Sequence, residues 1–375
     1  MILPVVAGVA ITGIVLWEAF ETIVLPRRVA RRLRLTVFIY RATWIPWRAI
    51  ARQIRKTRRR ETFLSIYGPL SLLFLFVVWA VAIIFGFALL YQSAAPGYQA
   101  SESFATYLYF SGTTMFTLGL GDVVPHTQTA RFLAVAESGL GFAFLALVLS
   151  YLPVIYQAFS RREVNIVLLD APAGSPPTAA ELLRRHTGPN GAEALEKLLR
   201  DWERSSAEIL ESHVSYPVVS YFRSQHNNES WLAALAAILD TSALLIACAE
   251  GNYARQARLT FAMCRHTVVD LAQVFHAVPR PAPADRLPAS EFERLCAALA
   301  QAGFRLGRDE TSRNRLNELR AMYEPYLEAL AHFLYMEIPP WILAREITDN
   351  WRTTAWGRIA GFGGPAGQAP DDHAN

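Results

Sequence analysis

Three long apolar segments constrain the fold of this 375-residue chain more than any other feature. They run from Met1 to Leu25 with two glutamates, from Gly68 to Tyr91 with no charge, and from Phe132 to Phe159 with one glutamate. About 20 apolar residues cross a bilayer as a helix, so each segment is long enough to span. The sequence therefore predicts an α-helical membrane protein with three spans, the first retained because Pro-Arg-Arg stands where a signal peptide would be cleaved.

Basic residues lie beside each apolar segment. Arg27 to Arg60 holds 13 Lys or Arg and no acidic residue, and Arg161 and Arg162 follow the third segment. The positive-inside rule places these junctions in the cytoplasm. We expect a multi-pass protein of the cell membrane with its N-terminus outside and its C-terminus in the cytoplasm.

The basic segment from Arg27 to Arg60 is tethered between two spans, so we expect it to meet anionic lipid of the inner leaflet rather than nucleic acid. Leu35, Phe38, Trp44 and Trp47 are interleaved with its arginines. This mixture is typical of a helix that lies in the membrane interface. The alternative is that the charges only set the topology.

The loop between the second and third apolar segments is not an ordinary polar loop. Ser101 to Thr114 is rich in aromatic residues and is predicted to form about three helical turns with Ser101 as the N-cap. It leads directly into a glycine-rich turn at Thr117 to Asp122. A short helix followed by such a turn predicts a re-entrant loop buried in protein or lining water.

The glycine-rich turn suits the binding of a dehydrated cation. Several backbone carbonyls must then point the same way, which requires dihedral angles that glycine adopts without a Cβ clash. Gly119 and Gly121 occupy alternate positions, and Leu118 and Leu120 are expected to anchor the turn in the surrounding protein. Asp122 would stand at the outer mouth, where its carboxylate attracts cations.

The string Thr117-Leu118-Gly119-Leu120-Gly121-Asp122 resembles the T-V-G-Y-G-D signature of pore-loop potassium channels with a single pore domain per chain. The resemblance covers about Gly68 to Phe159 and implies two spans around a re-entrant pore helix and filter. It also implies a homotetramer in which the carbonyls of Thr117, Leu118, Gly119 and Leu120 coordinate potassium. Such a protein conducts passively, so neither an enzymatic activity nor a cofactor is expected.

The resemblance also implies a gating hinge in the third span at Gly141, with Gly139 as the alternative. Close packing of helices is the competing interpretation of both glycines. Leu120 departs from the signature, which has a tyrosine there, so a weakly selective cation pore is an alternative to a potassium-selective one. A non-conducting, membrane-anchored signalling or scaffold protein is a further alternative.

Three carboxylates lie within the apolar segments and are candidate functional groups. Glu18 and Glu21 are three residues apart near the cytoplasmic end of the first segment and are expected to pair with the arginines that begin at Arg27. Glu137 in the third segment is expected to face either the pore helix or a water-filled cavity.

The composition changes after Arg162, and the whole chain divides into six parts. Val164 to Leu169 is a possible strand, and amphipathic helices follow the linker. The predicted parts are an N-terminal span (1–25), a basic segment (26–67), a pore domain (68–160), a linker (161–178), a helical cytoplasmic domain (179–358) and a disordered tail (359–375).

The cytoplasmic part offers few chemical signals. No G-x-G-x-x-G follows Val164 to Leu169, and the three cysteines form no CxxC pair. Two polar clusters, Ser212–Pro217 and Tyr221–Asn228, indicate either a site for an unidentified gating ligand or helix caps and turns. His266 and Asp270 share a helix face, but two ligands do not make a metal site.

Trp231 to Ala249 is apolar enough to be a fourth span, with Asp240 at its centre. An aspartate at the bilayer centre costs about 2.5 to 3.5 kcal/mol. We therefore predict a buried helix of a soluble bundle in preference to a span.

Overall fold

The computed structural model describes residues 2–25, 35–94, 103–226, 228–249, 254–345 and 349. These residues form helices and turns, and the only β pairing among them is a single bridge between Ala249 and Leu306. The chain divides into two compact units, one of residues 1–55 and 66–157 and one of residues 56–65 and 158–375. The fold of the described residues is thus helical, with several apolar helices, as predicted.

The first unit contains the helices that correspond to the three predicted spans. Its elements are α1 (Ile2–Ala19), a π-helical turn (Phe20–Val24), α2 (Leu35–Gln53), α3 (Thr57–Ser93) from residue 66, α4 (Phe104–Met115) and α5 (Gln128–Ala173) to residue 157. By length and composition, the helical stretch from Ile2 to Val24, α3 and α5 are each able to cross a membrane.

Small residues bring α1 and α3 close together. A Cβ atom added at Gly8 would lie 2.6 Å from the carbonyl oxygen of Gly86, and one added at Gly86 would lie 2.5 Å from Oγ1 of Thr12. Such small residues let helix backbones approach within lipid, where the hydrophobic effect does not drive association.

Helix α2 is amphipathic and packs against α3 through aromatic side chains. The rings of Trp44 and Tyr67 are 4.7 Å apart, and the Tyr67 hydroxyl donates to the carbonyl of Tyr40 at 3.0 Å. Phe38 and Ile45 are exposed on the opposite side. The basic segment is therefore helical over these residues, as an interfacial helix requires.

The second unit is a helical bundle built around one apolar helix. Besides the start of α3 and the end of α5, it holds α6 (Ala179–Arg185), α7 (Gly191–Ser215), a 3₁₀ turn (Pro217–Tyr221), α8 (Trp231–Cys248), α9 (Ala254–Val274), α10 (Ala289–Gln301), α11 (Glu310–Ala321) and α12 (Glu324–Leu334). Ser230 caps α8 by accepting from the backbone N–H of Ala233 at 3.0 Å.

Helix α8 is long and apolar enough to span a membrane, yet almost all of it is buried within the second unit. It packs against α6, α7, α9, α11 and α12. Asp240, at its centre, is 1% exposed and is paired with Arg286. These contacts support the interpretation of residues 231–248 as a buried helix.

Two local predictions need correction. Val164 to Leu169 is not a strand, because α5 continues without interruption to Ala173, so the predicted linker 161–178 is helical over most of its length. The β-branched residues suggested a strand, but Ile166, Leu169 and Ala173 are buried at helical spacing.

Helix α4, which the sequence predicts as the pore helix, begins at a different residue from the one predicted. It begins at Phe104 with Ser103 as the N-cap, and Ser103 makes no side-chain capping bond. The predicted N-cap, Ser101, lies outside the described residues, as does the predicted tail 359–375.

Candidate functional site

The backbone from Thr117 to Gly121 alternates between two conformations. The φ angles of Thr117, Gly119 and Gly121 are +55°, +56° and +80°, whereas Leu118 and Leu120 between them have no positive φ. In an ordinary strand, successive carbonyl groups point to opposite sides. Left-handed residues at every second position rotate these groups away from that alternation. The glycine spacing predicted such dihedral angles at Gly119 and Gly121, but not at Thr117.

The end of α4 holds the beginning of this turn. The backbone N–H groups of Thr117 and Leu118 donate to the carbonyls of Thr114 and Thr113, at 3.0 and 2.8 Å. A left-handed conformation at a non-glycine residue costs about 1 to 2 kcal/mol. These bonds help to hold Thr117 in that conformation directly after the pore helix.

Glycine is favoured at positions 119 and 121 because of backbone conformation and not because of space. A Cβ atom added at either residue meets no atom of the described chain within 4 Å. A side chain at Gly121 would fit but would be strained by a φ of +80°.

A hydrogen bond between the pore helix and the outer end of the turn was not indicated by the sequence. The Tyr109 hydroxyl donates to Oδ2 of Asp122 at 2.8 Å. Tyr109 thus tethers the end of the turn to α4. Leu118 and Leu120 are 61% and 65% exposed, so the expectation that they anchor the turn is not met within the single chain.

Glu137 faces the pore helix, one of the two environments predicted for it. It is fully buried, and its carboxyl group accepts from the Tyr91 hydroxyl at 2.7 Å and is hydrogen-bonded to the Ser111 hydroxyl. One side chain of α5 therefore contacts both α3 and α4.

Gly141 lies against the end of the pore helix. A Cβ atom added there would be 1.9 Å from the carbonyl oxygen of Met115, whereas one added at Gly139 meets nothing within 4 Å. Helix α5 is continuous through both residues. The contact supports the packing interpretation of Gly141 and leaves Gly139 unconstrained within the subunit.

The carboxylates of α1 and the turn that follows it bind neighbouring groups of the first unit. Glu18 accepts from the backbone N–H groups of Leu35 and Thr36 at 3.0 and 3.2 Å, which places its charge at the first described turn of α2. Glu21 accepts from the Trp17 indole N–H at 2.7 Å. Their predicted arginine partners, from Arg27 onward, begin outside the described residues.

Arg162, at the end of α5, binds residues in and beside the two polar clusters of the second unit. Arg162 is 2% exposed and donates to the carbonyls of Val219 and Phe222 at 3.0 and 2.8 Å. It also lies 3.2 Å from Nε2 of His213 and forms an ion pair with Glu163. The ring of His213 and the carbonyls of Val219 and Phe222 thus bind Arg162 at the end of α5.

Burial dominates the ionisation of this cluster. It lowers the pKa of Arg162, which Glu163 partly offsets. Burial, together with the positive charge of Arg162, holds the pKa of His213 well below its ordinary value. His213 is therefore neutral near pH 7.

A metal site is not formed by His266 and Asp270, which approach to 3.6 Å. Over the described ranges, no group of three or more His, Cys, Asp or Glu side chains is arranged to hold a metal ion.

Comparison with known proteins identifies the class of the pore segment. The described chain is a helical membrane protein, and residues 71–157, which include α4 and the turn, match the family model described as an ion channel. The predicted resemblance of this segment to the two-helix pore-loop ion channels is thereby confirmed.

A second similarity extends over more of the chain. The uncharacterized membrane protein YdjJ of Bacillus subtilis (strain 168) is 25% identical over 184 residues, which are 47% of this chain and 52% of that protein. The match thus spans about half the length of this relative. No solved structure matches the chain.

Proposed function

We propose that the protein is a passive, potassium-selective channel of the cell membrane. The observation that carries the proposal is the alternation of φ at Thr117, Gly119 and Gly121, directly after a pore helix and inside the segment that matches the ion-channel family. In this proposal the carbonyls of Thr117, Leu118, Gly119 and Leu120 replace the hydration shell of the ion.

The proposal requires four subunits, because one chain supplies one pore loop and an ion must be surrounded. Closure around an axis gives a homotetramer with cyclic symmetry. Several apolar side chains of α5 are exposed in the single subunit, among them Phe132, Val135, Phe142, Leu145 and Leu149. Neighbouring subunits and lipid would cover them.

Asp122 would stand at the extracellular mouth, held by Tyr109. The N-terminus would be outside and the second unit in the cytoplasm, as the distribution of arginines predicts. For gating, the open space around Gly139 favours it over Gly141 as a hinge, since Gly141 is occupied by its contact with Met115.

Lipid is the proposed partner of α2. Exposed Phe38, Ile45 and Ile50 provide an apolar face, and the helix carries arginines that suit the anionic inner leaflet. A cytoplasmic ligand or protein that opens the pore is a further expected partner, and its identity is open.

A weakly selective cation channel is the second candidate function. The departure at Leu120 from the tyrosine of the signature favours it, because a filter without that side chain is expected to discriminate less well between ions of different size. Reversal potentials under a potassium/sodium gradient separate the two candidates.

The decisive experiment is ion flux into liposomes that contain the purified full-length protein. Light scattering in mild detergent should first show a tetramer, and a stable monomer or dimer would contradict the channel. Wild type should then take up potassium, whereas Gly121→Ala should not, since strain of about 1 to 3 kcal/mol arises in every subunit.

Gly13→Ala is the matched control, because Gly13 is helical, lies in the same unit and also has no atom near an added Cβ. It should conduct like wild type. Equal potassium flux through wild type and Gly121→Ala would mean that ions do not pass through this turn, and a non-conducting scaffold would replace the proposal.

A further inference from the structure

Glu137 joins three helices of the first unit at one fully buried carboxyl group. Oε2 accepts from the hydroxyl of Tyr91 on α3, and Oε1 contacts the hydroxyl of Ser111 on α4. A buried carboxyl group is costly unless both oxygens are hydrogen-bonded. Both oxygens of Glu137 are hydrogen-bonded. The carboxyl group is therefore a fully satisfied polar contact within an otherwise apolar interface between helices.

The contacts between α4 and α5 form two matched pairs. Glu137 contacts Ser111, and Gly141, four residues later on α5, contacts Met115, four residues later on α4. Residues four apart lie on one face of a helix. The two contacts together therefore fix the register of α4 against α5.

This register bears directly on the candidate filter. Helix α4 ends at Met115, and the first left-handed residue, Thr117, follows after one residue. The N–H groups of Thr117 and Leu118 are bonded to carbonyls of the same helix end. A shift of α4 along α5 would thus move the filter backbone with it.

The hydrogens at Ser111 indicate how the carboxyl group binds. The Ser111 hydroxyl has one proton, yet its oxygen lies against both Glu137 and the carbonyl of Ile84, the latter at 2.9 Å. A carboxylic acid that donates to Ser111 lets Ser111 donate to Ile84. A glutamine amide at position 137 reproduces this pattern, with its N–H₂ donating to Ser111 and its oxygen accepting from Tyr91.

We propose that Glu137 is a positioning residue for ion selectivity, which holds the pore helix in the register that the filter needs. This inference rests on the proposed channel function. It assigns to an inner-helix carboxyl group a role in selectivity, although the group does not contact the ion.

The test measures the potassium/sodium permeability ratio of the full-length protein in liposomes, from reversal potentials. Glu137→Ala and Ser111→Ala should each lower the ratio by at least about two- to tenfold, the range expected for loss of one hydrogen bond, since each variant removes two. Glu137→Gln should keep the wild-type ratio. Light scattering establishes that each variant is a tetramer, and Tyr91→Phe provides a milder variant if Glu137→Ala does not assemble.

Ser71→Ala is the matched control, because Ser71 is buried in the same unit and its hydroxyl bonds only to its own helix, at Gly68. It should leave the permeability ratio unchanged. Absence of potassium flux in wild type refutes the channel itself. If wild type conducts potassium and the tetrameric variants Ser111→Ala and Glu137→Ala keep its permeability ratio, only the positioning role is refuted. If Glu137→Gln loses selectivity, the scheme in which a neutral Glu137 donates to Ser111 is refuted.

Discussion

Replacement of Asp240 tests whether α8 is the core of a helical bundle or a fourth membrane span, because the two predict opposite signs for the change in the free energy of unfolding. Its carboxylate is 1% exposed and accepts from Arg286 at 2.6 and 3.2 Å and from the Tyr323 hydroxyl at 2.7 Å. Burial alone would lower the pKa of Arg286, but the charge of Asp240 outweighs it and raises that pKa above its usual value. Arg286 is therefore charged at neutral pH.

Asp240→Ala should destabilise the second unit if α8 is the core of a bundle. Among the described residues it leaves Arg286 buried with Glu324 and the carbonyl of Pro339 as hydrogen-bond partners, at 3.2 and 2.8 Å, and with the ring of Trp341 beside it. Removal of one member of a buried ion pair costs about 3 to 5 kcal/mol, and the remaining partners favour the lower value. For a unit of this size, about 3 kcal/mol lowers Tm by about 6 to 12 °C.

The opposite sign is expected for a fourth span. Removal of an aspartate from the centre of a bilayer would favour the folded state by about 2.5 to 3.5 kcal/mol. The assay is thermal unfolding of the full-length protein in detergent, followed by tryptophan fluorescence, since Trp231 and Trp341 are buried in the second unit.

Two further variants sharpen the measurement. Tyr323→Phe removes one hydrogen bond to the same carboxylate and should cost about 1.5 to 3 kcal/mol. Thr241→Val is the control, because the Thr241 hydroxyl donates only to its own helix, at Ala237. A Tm that is unchanged or higher in Asp240→Ala would refute the buried bundle helix.

Two other predictions concern pH and topology. The pKa of His213 in the folded state lies well below its ordinary value of 6.5. As the pH falls below 6.5, the unfolded chain therefore binds a proton that the folded chain does not. The free energy of unfolding should therefore fall on acidification. In unfolding measurements, His213→Gln should reduce the slope of this free energy against pH by up to about 1.4 kcal/mol per pH unit. Equal slopes for wild type and His213→Gln would contradict this. A cysteine at Gln53 should resist an impermeant thiol reagent outside intact cells and react after lysis, whereas external labelling would overturn the topology. Gln53 is exposed, while Ala51 nearby is fully buried and unsuited to labelling.

Much of the first unit was predictable because long apolar segments and a glycine-spaced turn are local patterns. The positions of α1, α3 and α5 follow from uninterrupted hydrophobicity, and the positive φ of Gly119 and Gly121 follows from the need for residues without a Cβ atom. Glu137 was recognisable as important, but its environment depends on where α3 and α4 cross α5.

Contacts between distant residues account for what the sequence did not predict. Tyr109 looks like one of several aromatic residues in a pore helix, and only the folded turn brings Asp122 within 2.8 Å of it. In the second unit, Arg162 was interpreted as a topology signal, yet it is buried among residues 51 to 60 positions later in the chain. Local β-branched residues suggested the strand at 164–169, where packing of one helix face decided otherwise.

The bond between Tyr109 and Asp122 has an evolutionary consequence. Since the tether runs from the pore helix to the aspartate, the side chain at position 120 carries none of it. We therefore expect selection on residue 120 to be relaxed and residues 109 and 122 to be constrained as a pair. Among homologous sequences, position 120 should drift between apolar residues, and a change at either end of the Tyr109–Asp122 bond should be accompanied by a change at the other.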